Sequence, residues 1–220
     1  DGTLQGYLAT LGLPIIGPGV LPSSVGMDKA VMKSVLKDHG IPVLDCLVCT
    51  QKDFEDAPAL VKRAEEAFAY PMIVKPVNLG SSIGITRARN REELSDALEL
   101  AFTFSGKVLI ERAITRLREI NCAVLGDYES AEASECEEPL NAGEDDILSF
   151  EDKYLSGGKG GAKAADGAMG AVSGGSKGMA GLQRKIPAEL PTALRERIRE
   201  TAVRAFHALD GAGVARIDFM

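Results

Sequence analysis

The stretch 72–85, with the sequence MIVKPVNLGSSIGI, constrains this chain more than any other segment. Its apolar start, residues 72–74, is followed by Lys75 and Pro76. It predicts a strand that ends in a turn, because proline cannot donate a hydrogen bond to a sheet. A glycine-serine loop at residues 80–84 comes next, with Ile83 and Ile85 predicting a second strand. The stretch therefore predicts a strand-loop-strand unit with a lysine beside its loop.

A lysine beside a loop of small residues suits the binding of a polyphosphate. Glycines allow backbone N–H groups to approach an anion, serine hydroxyls add donors, and the lysine supplies a point charge. A simpler interpretation is that the loop is only a turn and that Lys75 is only a solvated residue at a strand end. The loop alone leaves both interpretations open.

Length and charge exclude several classes of protein. The chain has 220 residues, of which 45% are hydrophobic, so it can bury a sizeable core in one or two domains. Its net charge is −7, and no basic cluster indicates a nucleic-acid partner. No apolar run approaches the roughly 18 residues of a membrane span. The chain begins at Asp1 without a signal peptide, and we expect it to be truncated at both ends.

The four cysteines do not predict a metal site. Cys46 and Cys49 have CxxC spacing, but no second pair of cysteines or histidines completes a zinc site. Cys46, Cys122 and Cys136 lie in strand-like stretches. We interpret the cysteines as free thiols in a reducing cytoplasm.

The order of elements predicts an α+β protein. A helix at residues 1–11 and a short strand at 14–16 are followed by elements whose apolar spacing and caps are clear. The predicted helices are 27–39, 57–68, 91–102 and 192–209, and the predicted strands are 43–49, 72–76, 83–85, 107–111, 119–125, 128–136 and 214–220. Residues 43–110 in particular predict a small unit with helices on one face of a sheet.

Three features of the second half allow more than one interpretation. Residues 156–181 contain ten glycines and no aromatic residue, so we expect a mobile segment, either a linker or an active-site lid. The acidic residues of 132–138 are interpreted as a solvated strand face. Arg216 and Asp218 alternate onto one face of the last strand. They form either a structural ion pair or a phosphate-side arginine with a metal ligand.

Together, these motifs resemble the ATP-grasp fold of the D-alanine–D-alanine ligase family along nearly the whole chain. That resemblance implies two α+β lobes that sandwich ATP. The residues that carry it are Asp1-Gly-Thr-Leu-Gln-Gly6, Gly17-Pro-Gly-Val20, Met27-Asp-Lys29, Val74-Lys-Pro76, Gly80-Ser-Ser-Ile-Gly84, Leu109-Ile-Glu-Arg112, Arg118-Glu-Ile120, Lys153-Tyr-Leu155 and Gly213-Val-Ala-Arg-Ile-Asp-Phe219.

The resemblance implies a set of nucleotide-binding residues. The lysines and the Gly-Ser loop would bind the phosphates, Glu111 with its neighbours would bind adenine, and Glu119 would accept hydrogen bonds from the ribose. The residues in this set are Lys29, Lys75, Gly80, Ser81, Ser82, Glu111, Arg112, Ile114, Glu119 and Lys153.

The resemblance also implies residues for the chemistry. Arg216 would stabilise the oxyanion of a tetrahedral intermediate, and Ser81 and Tyr154 would help to close the substrate pocket. Asp218 would be a ligand of Mg²⁺ or Mn²⁺. The implied division is a remnant of an N-terminal domain at 1–18, a central lobe at 19–108 and an incomplete C-terminal lobe at 109–220.

The implied activity is the ATP-dependent, ADP-forming ligation of two D-alanines for cell-wall peptidoglycan. The implied partners are ATP and D-alanine, with no nucleic acid and no membrane, in a cytoplasmic protein that is a homodimer at full length. Family members carry a Glu and an Asn beyond the end of this chain, so we expect residues 1–220 alone to be inactive.

Other specificities remain open. The turn between Glu111 and Glu119 is one residue longer than the commoner form. With the run Arg118-Glu-Ile-Asn-Cys122, it resembles D-alanine–D-serine ligases of vancomycin resistance, and a D-lactate acceptor is less favoured. A non-catalytic ATP-grasp fragment is the alternative from another class. Carboxylases share the fold but not the context of Arg118 or Lys153.

Overall fold

A computed structural model describes residues 1–139 and 184–220 of the chain. In these two ranges the helices are α1 (Thr3–Thr10), α2 (Val20–Met27), α3 (Lys29–Asp38), α4 (Gln51–Phe54), α5 (Ala57–Ala67), α6 (Arg91–Phe104) and α7 (Thr192–Ala208). The strands are β1 (Cys46–Thr50), β2 (Met72–Pro76), β3 (Thr86–Ala88), β4 (Lys107–Arg112), β5 (Ile120–Gly126), β6 (Ala131–Pro139), β7 (Arg184–Lys185) and β8 (Gly213–Phe219).

The first sheet is antiparallel, with the strand order β1-β4-β2-β3. Strand alternation divides the side chains of β2 and β4 between its two faces. Met72, Val74 and Ile110 are fully buried in one core together with Leu94 and Leu98 of α6. Lys75 and Glu111 therefore project from the opposite face. This arrangement confirms the α+β unit predicted for residues 43–110.

The second sheet is also antiparallel and has the order β7-β6-β5-β8. Helix α7 covers one face, where Phe206 and Ala202 pack on Cys122 and Val124. In β8 the odd-numbered residues are half-buried, and the even-numbered residues Arg216 and Asp218 are exposed. The predicted alternation of this strand is confirmed.

Helix caps explain where two helices begin. Asn90 precedes α6, and its side chain accepts a hydrogen bond from the backbone N–H of Glu93 at 3.0 Å. Asp28 precedes α3 and accepts bonds from the N–H groups of Ala30 and Val31 at 3.0 and 3.1 Å. Because Asp28 has extended backbone angles, it separates α3 from α2.

Several predicted boundaries were wrong. Residues 14–16 form no strand, and Ile16 is 96% exposed. Helix α2 was missed; its Pro22 falls in the first turn, where a helix needs no donor from the backbone. The predicted helix 27–39 begins only at Lys29, and β1 begins at Cys46 instead of Val43. The predicted strand 83–85 starts only at Thr86, because a turn occupies residues 81–84.

The acidic run was also interpreted incorrectly at two positions. Glu138 receives two hydrogen bonds from the guanidinium of Arg118, at 2.6 and 2.8 Å. The same guanidinium donates to the backbone oxygen of Glu189 at 2.8 Å. Glu137 faces Arg184. Glu138 therefore connects β6 to the loop that contains Arg118, and Glu137 connects β6 to β7. Glu132 and Glu135 are solvated as predicted.

The glycine-rich segment 156–181, with Lys153 and Tyr154 before it, lies outside the described residues. All four cysteines lie within them and carry free thiols, as predicted. Within the described ranges, no helix has both the length and the apolar character needed to cross a membrane.

Candidate functional site

The most buried charged group of the described chain is the carboxylate of Glu111, with 3% of the residue exposed. One of its oxygens accepts from Lys33 Nζ at 2.7 Å, and the other forms an ion pair with Lys75 Nζ. Both lysine side chains are themselves less than 15% exposed. A single carboxylate thus lies between two ammonium groups on the face of the first sheet opposite α5 and α6.

Burying the three charged groups of this cluster costs free energy, which indicates a role beyond stabilising the fold. Removing charges from water is expensive, and buried ion pairs often contribute little to the free energy of unfolding. With one carboxylate for two ammonium groups, the face keeps an excess of positive charge. That excess suits the binding of an anion.

Lys29, at the first position of α3, binds the backbone that follows β2. Its ammonium donates to the carbonyls of Pro76 and Val77, both at 3.3 Å, and also to that of Leu79. Its backbone N–H donates to the Val77 carbonyl at 3.0 Å. Lys29 therefore fixes the entry into the Gly-Ser loop.

The electrostatics at this helix start have identifiable causes. Burial, and then the charge of Lys75, lower the pKa of Lys29. Burial acts to raise the pKa of Asp28, but the hydrogen bonds from Lys107 and from backbone N–H groups outweigh it and leave that pKa lowered. Asp28 and Lys107 form an ion pair that ties the helix start to β4.

The Gly-Ser loop has a left-handed backbone. Ser81 and Ser82 have φ values of 53° and 60°, which L-residues seldom adopt. Such strain concentrates at ligand-binding sites. Two turn hydrogen bonds, from Ile83 N–H to Gly80 and from Ile85 N–H to Ser82, close the loop at 3.1 and 3.2 Å.

Gly84 allows this loop to pack closely. Its φ is +70°, and an added Cβ would lie 2.8 Å from Pro76 Cγ and 2.9 Å from Phe104 Cδ2. No side chain fits there without a shift of its neighbours. The glycine therefore fixes the loop against the end of β2.

The other predicted nucleotide contacts lie at the end of β4 and in the segment after it. Arg112 is exposed, while Ile114 and Glu119 are half-buried. The N–H of Ala113 donates to the Pro71 carbonyl at 2.9 Å, so this segment is joined to the start of β2. It leads from the first sheet into β5 of the second sheet.

Arg216 and Asp218 form a second polar group, on the open face of the second sheet. The guanidinium donates to both carboxylate oxygens of Asp218, at 2.6 and 2.8 Å. This bond raises the pKa of Arg216. Both side chains are nearly half exposed, so the structure brings the two predicted residues together at the surface.

Asn121 lies beside this pair and was not predicted. It is the register partner of Asp218 on one side and of Glu137 on the other. Its amide donates to Glu137 Oε1 at 3.4 Å, although the residue is 94% buried. Among the described residues, no group of three His, Cys, Asp or Glu side chains is arranged to hold a metal ion.

The sequence predicted Lys29, Lys75 and Glu111 as candidate site residues but not Lys33, which pairs with Glu111. The signal was present, because Lys33 follows Lys29 by four residues and so lies on the same helix face. Lys29 and Lys75 lie close together as expected, whereas Glu111, which was predicted to belong to the C-terminal lobe, lies on β4 in the same sheet as Lys75 and forms an ion pair with it. Lys153 and Tyr154 lie outside the described residues.

Two antiparallel sheets, the first with α5 and α6 on one face and the second with α7 on one face, define an α+β protein with the ATP-grasp fold, which the similar solved structures share. A family model described as "D-ala D-ala ligase C-terminus" matches residues 35–166 and 177–220. The chain therefore belongs to the D-alanine–D-alanine ligase family.

Curated relatives match over the whole chain. It is 40% identical over 220 residues to a D-alanine–D-alanine ligase of Thermoanaerobacter sp. (strain X514) and 39% identical to one of Acetivibrio thermocellus. It covers 54% and 51% of those relatives. The chain thus spans about half the length of the curated relatives it matches.

Two solved structures are similar to the described fold. The VanG D-Ala:D-Ser ligase from Enterococcus faecalis matches with a TM-score of 0.72 and 29% identity, over 99% of this chain and 55% of that one. The D-alanine–D-alanine ligase from Coxiella burnetii matches with a TM-score of 0.74 and 27% identity, over 100% of this chain and 50% of that one.

Proposed function

We propose that the protein to which this chain belongs uses ATP to join two D-alanines into D-alanyl-D-alanine for peptidoglycan synthesis. The observation that carries the proposal is the buried cluster of Lys75 and Glu111 beside the strained Gly-Ser loop. It occurs in a chain that is 40% identical over its whole length to D-alanine–D-alanine ligases.

The phosphates of ATP would bind at the loop end of β2. Lys75 and Lys29 supply positive charge there. The backbone N–H groups of Gly80, Ser81 and Ser82 and the hydroxyls of the two serines supply donors. The left-handed backbone of the two serines supports this role, since such turns direct successive N–H groups into an anion-binding concavity.

Adenosine would bind along the end of β4 and the segment that follows it. Glu111, the backbone of Arg112 and the side chain of Ile114 would surround the adenine, and Glu119 would accept hydrogen bonds from the ribose hydroxyls. Lys153 and Tyr154 stay predicted contacts to the phosphates and the amino-acid pocket. In this proposal the central lobe is 19–108 and the C-terminal lobe 109–220, after a remnant at 1–18.

The reaction would proceed in two steps. A carboxylate oxygen of the first D-alanine attacks the γ-phosphorus of ATP, and the bond to ADP breaks to give an acyl phosphate. The amine of the second D-alanine then attacks the carbonyl carbon. A C–N bond forms, inorganic phosphate leaves, and the amine gives up a proton.

Arg216 would stabilise the oxyanion that develops during the second step. Its paired carboxylate holds the guanidinium in a fixed orientation at the surface of the sheet. Ser81 would help to close the pocket over the acyl phosphate, which water would otherwise hydrolyse.

Asp218 would hold Mg²⁺ or Mn²⁺ together with the ATP phosphates. Its half-exposed carboxylate is the type of oxygen ligand that magnesium prefers, alongside phosphate oxygens and water. The metal would neutralise charge between the phosphates and the attacking carboxylate. Among the described residues no group of three acidic, histidine or cysteine side chains is arranged to hold a metal ion, so oxygens of the ATP phosphates would supply further ligands.

D-serine is the alternative to D-alanine as the second substrate. The structural similarity to a D-Ala:D-Ser ligase and the run Arg118-Glu-Ile-Asn-Cys122 favour D-serine as that alternative. The complete protein would act in the cytoplasm, where its four free thiols stay reduced, and it would form a homodimer.

Release of phosphate by the complete protein tests the proposal. With ATP and magnesium, D-alanine alone should give the fastest release. A faster rate with D-alanine plus D-serine would assign the alternative acceptor. If D-alanine does not stimulate phosphate release at all, the ligase function is wrong.

A further inference from the structure

Lys33 of α3 is a lysine that the proposed reaction does not use. Its ammonium donates to Glu111 Oε2 at 2.7 Å and to the backbone oxygen of Leu44 at 2.8 Å. Only 14% of its side chain is exposed. Long cationic side chains normally keep their charge in water, so burial of this one against a single carboxylate needs a reason.

Glu111 would otherwise neutralise Lys75. The two side chains project from the same face of the first sheet and form an ion pair. If Lys75 were its only partner, the carboxylate would cancel the positive charge of Lys75, which is the charge that would attract a phosphate. Because Lys33 binds the second oxygen, the negative charge of Glu111 is shared between two ammonium groups.

We propose that Lys33 is a positioning residue for the triphosphate. By binding Glu111 and the Leu44 carbonyl, it holds the carboxylate in place and leaves the cluster with a net positive charge at Lys75. Lys33 would not touch the nucleotide, and its effect would depend on its charge. This inference rests on the proposed ATP site.

Two substitutions separate charge from packing. Lys33→Gln removes the charge and keeps a polar N–H donor on a shorter side chain, whereas Lys33→Arg keeps the charge. Lys37→Met is the matched control, because Lys37 lies one turn further along α3 and forms a solvent-exposed pair with Asp45. Thermal unfolding of every variant shows whether it is folded at the temperature of the titrations.

Calorimetric titration of the complete protein with ATP, and separately with adenosine, tests the inference. We expect Lys33→Gln to weaken ATP binding about tenfold or more while adenosine binding changes less than about twofold, because adenosine carries no phosphate charge. Lys33→Arg should restore most of the ATP affinity, and Lys37→Met should match the unchanged protein.

Each other outcome overturns a specific claim. Unchanged ATP affinity in folded Lys33→Gln would show that Lys33 does not tune the cluster. An equal loss for ATP and adenosine would show that it only shapes the pocket around Glu111. If the unchanged protein binds no ATP, the proposed function fails, and that result is distinct from failure of the inference.

Discussion

Lys75 on β2 and Glu111 on β4 form a buried ion pair, although neither is the register partner of the other. Glu111 lies opposite Ile73, and Lys75 lies opposite Leu109. The pair is therefore diagonal on one face of the sheet, within reach of long side chains. An anion that binds Lys75 has to compete with this carboxylate.

Lys29 should control the order of the Gly-Ser loop. Lys29→Met removes the donors to the carbonyls of Pro76, Val77 and Leu79, so the loop should open more often. We expect faster amide hydrogen exchange at residues 77–85 and weaker ATP binding by about tenfold. Lys37→Met is the control, and equal exchange protection in the two variants would contradict the role.

Gly84→Ala should destabilise the protein by about 1–3 kcal/mol. The new methyl group would meet Pro76 and Phe104 at a positive φ of 70°, so the loop or β2 has to shift. Gly26→Ala is the control, because Gly26 lies in α2 with open space around it and should be neutral or stabilising. Urea unfolding of both variants measures the difference, and similar stabilities would contradict this account of Gly84.

The pair of Arg118 and Glu138 should give a pH-dependent contribution to stability. The hydrogen bond from Arg118 lowers the pKa of Glu138 from its usual value of 4.5. The stabilisation is therefore complete above pH 4.5 and is lost as the pH falls through the lower pKa of the folded state. Glu138→Gln should cost about 1 kcal/mol at pH 7 and progressively less below pH 4.5.

Urea unfolding of both proteins from pH 7 to pH 3.5 measures this difference in stability. Glu132→Gln is the control, because Glu132 is a solvated residue of the same strand. A difference between the unchanged protein and Glu138→Gln that does not depend on pH would mean that the ion pair is not its source.

Elements with strong local signals were predictable from the sequence. Asn90 with Glu93 marks the start of α6, and strict alternation in β8 places Arg216 and Asp218 on one face. In these elements, capping and the period of two agree with the tertiary structure. Lys29 and Lys75 were predicted as candidate phosphate contacts because recognisable motifs surround them.

Features that depend on distant partners were not predictable. The ammonium of Lys33 pairs with Glu111, 78 residues away in sequence. Glu138 resembles its solvated neighbours until Arg118 is brought beside it. Helix α2 was missed because its proline and glycine lower its helix propensity. Residues 14–16 have the composition of a strand, but in the described structure they pair with no other strand.

Asp218→Asn should remove the effect of magnesium on ATP binding. The carboxylate is the proposed metal ligand, and its amide analogue still accepts a hydrogen bond from Arg216 but binds the cation more weakly. We expect ATP affinity without magnesium to change less than about threefold and the increase caused by magnesium to fall about tenfold. Asp96→Asn, on the exposed face of α6, is the control, and an undiminished effect of magnesium would exclude Asp218 as a ligand.

The affinity of the complete protein for ATP, with and without the Lys75 ammonium, tests the central claim most directly. Lys75→Met leaves Glu111 paired with Lys33, so the protein should stay folded, while ATP affinity should fall by about two orders of magnitude. Lys62→Met, at an exposed position of α5, should bind ATP like the unchanged protein. Equal ATP affinity in Lys75→Met and Lys62→Met would contradict the assignment of the phosphate site.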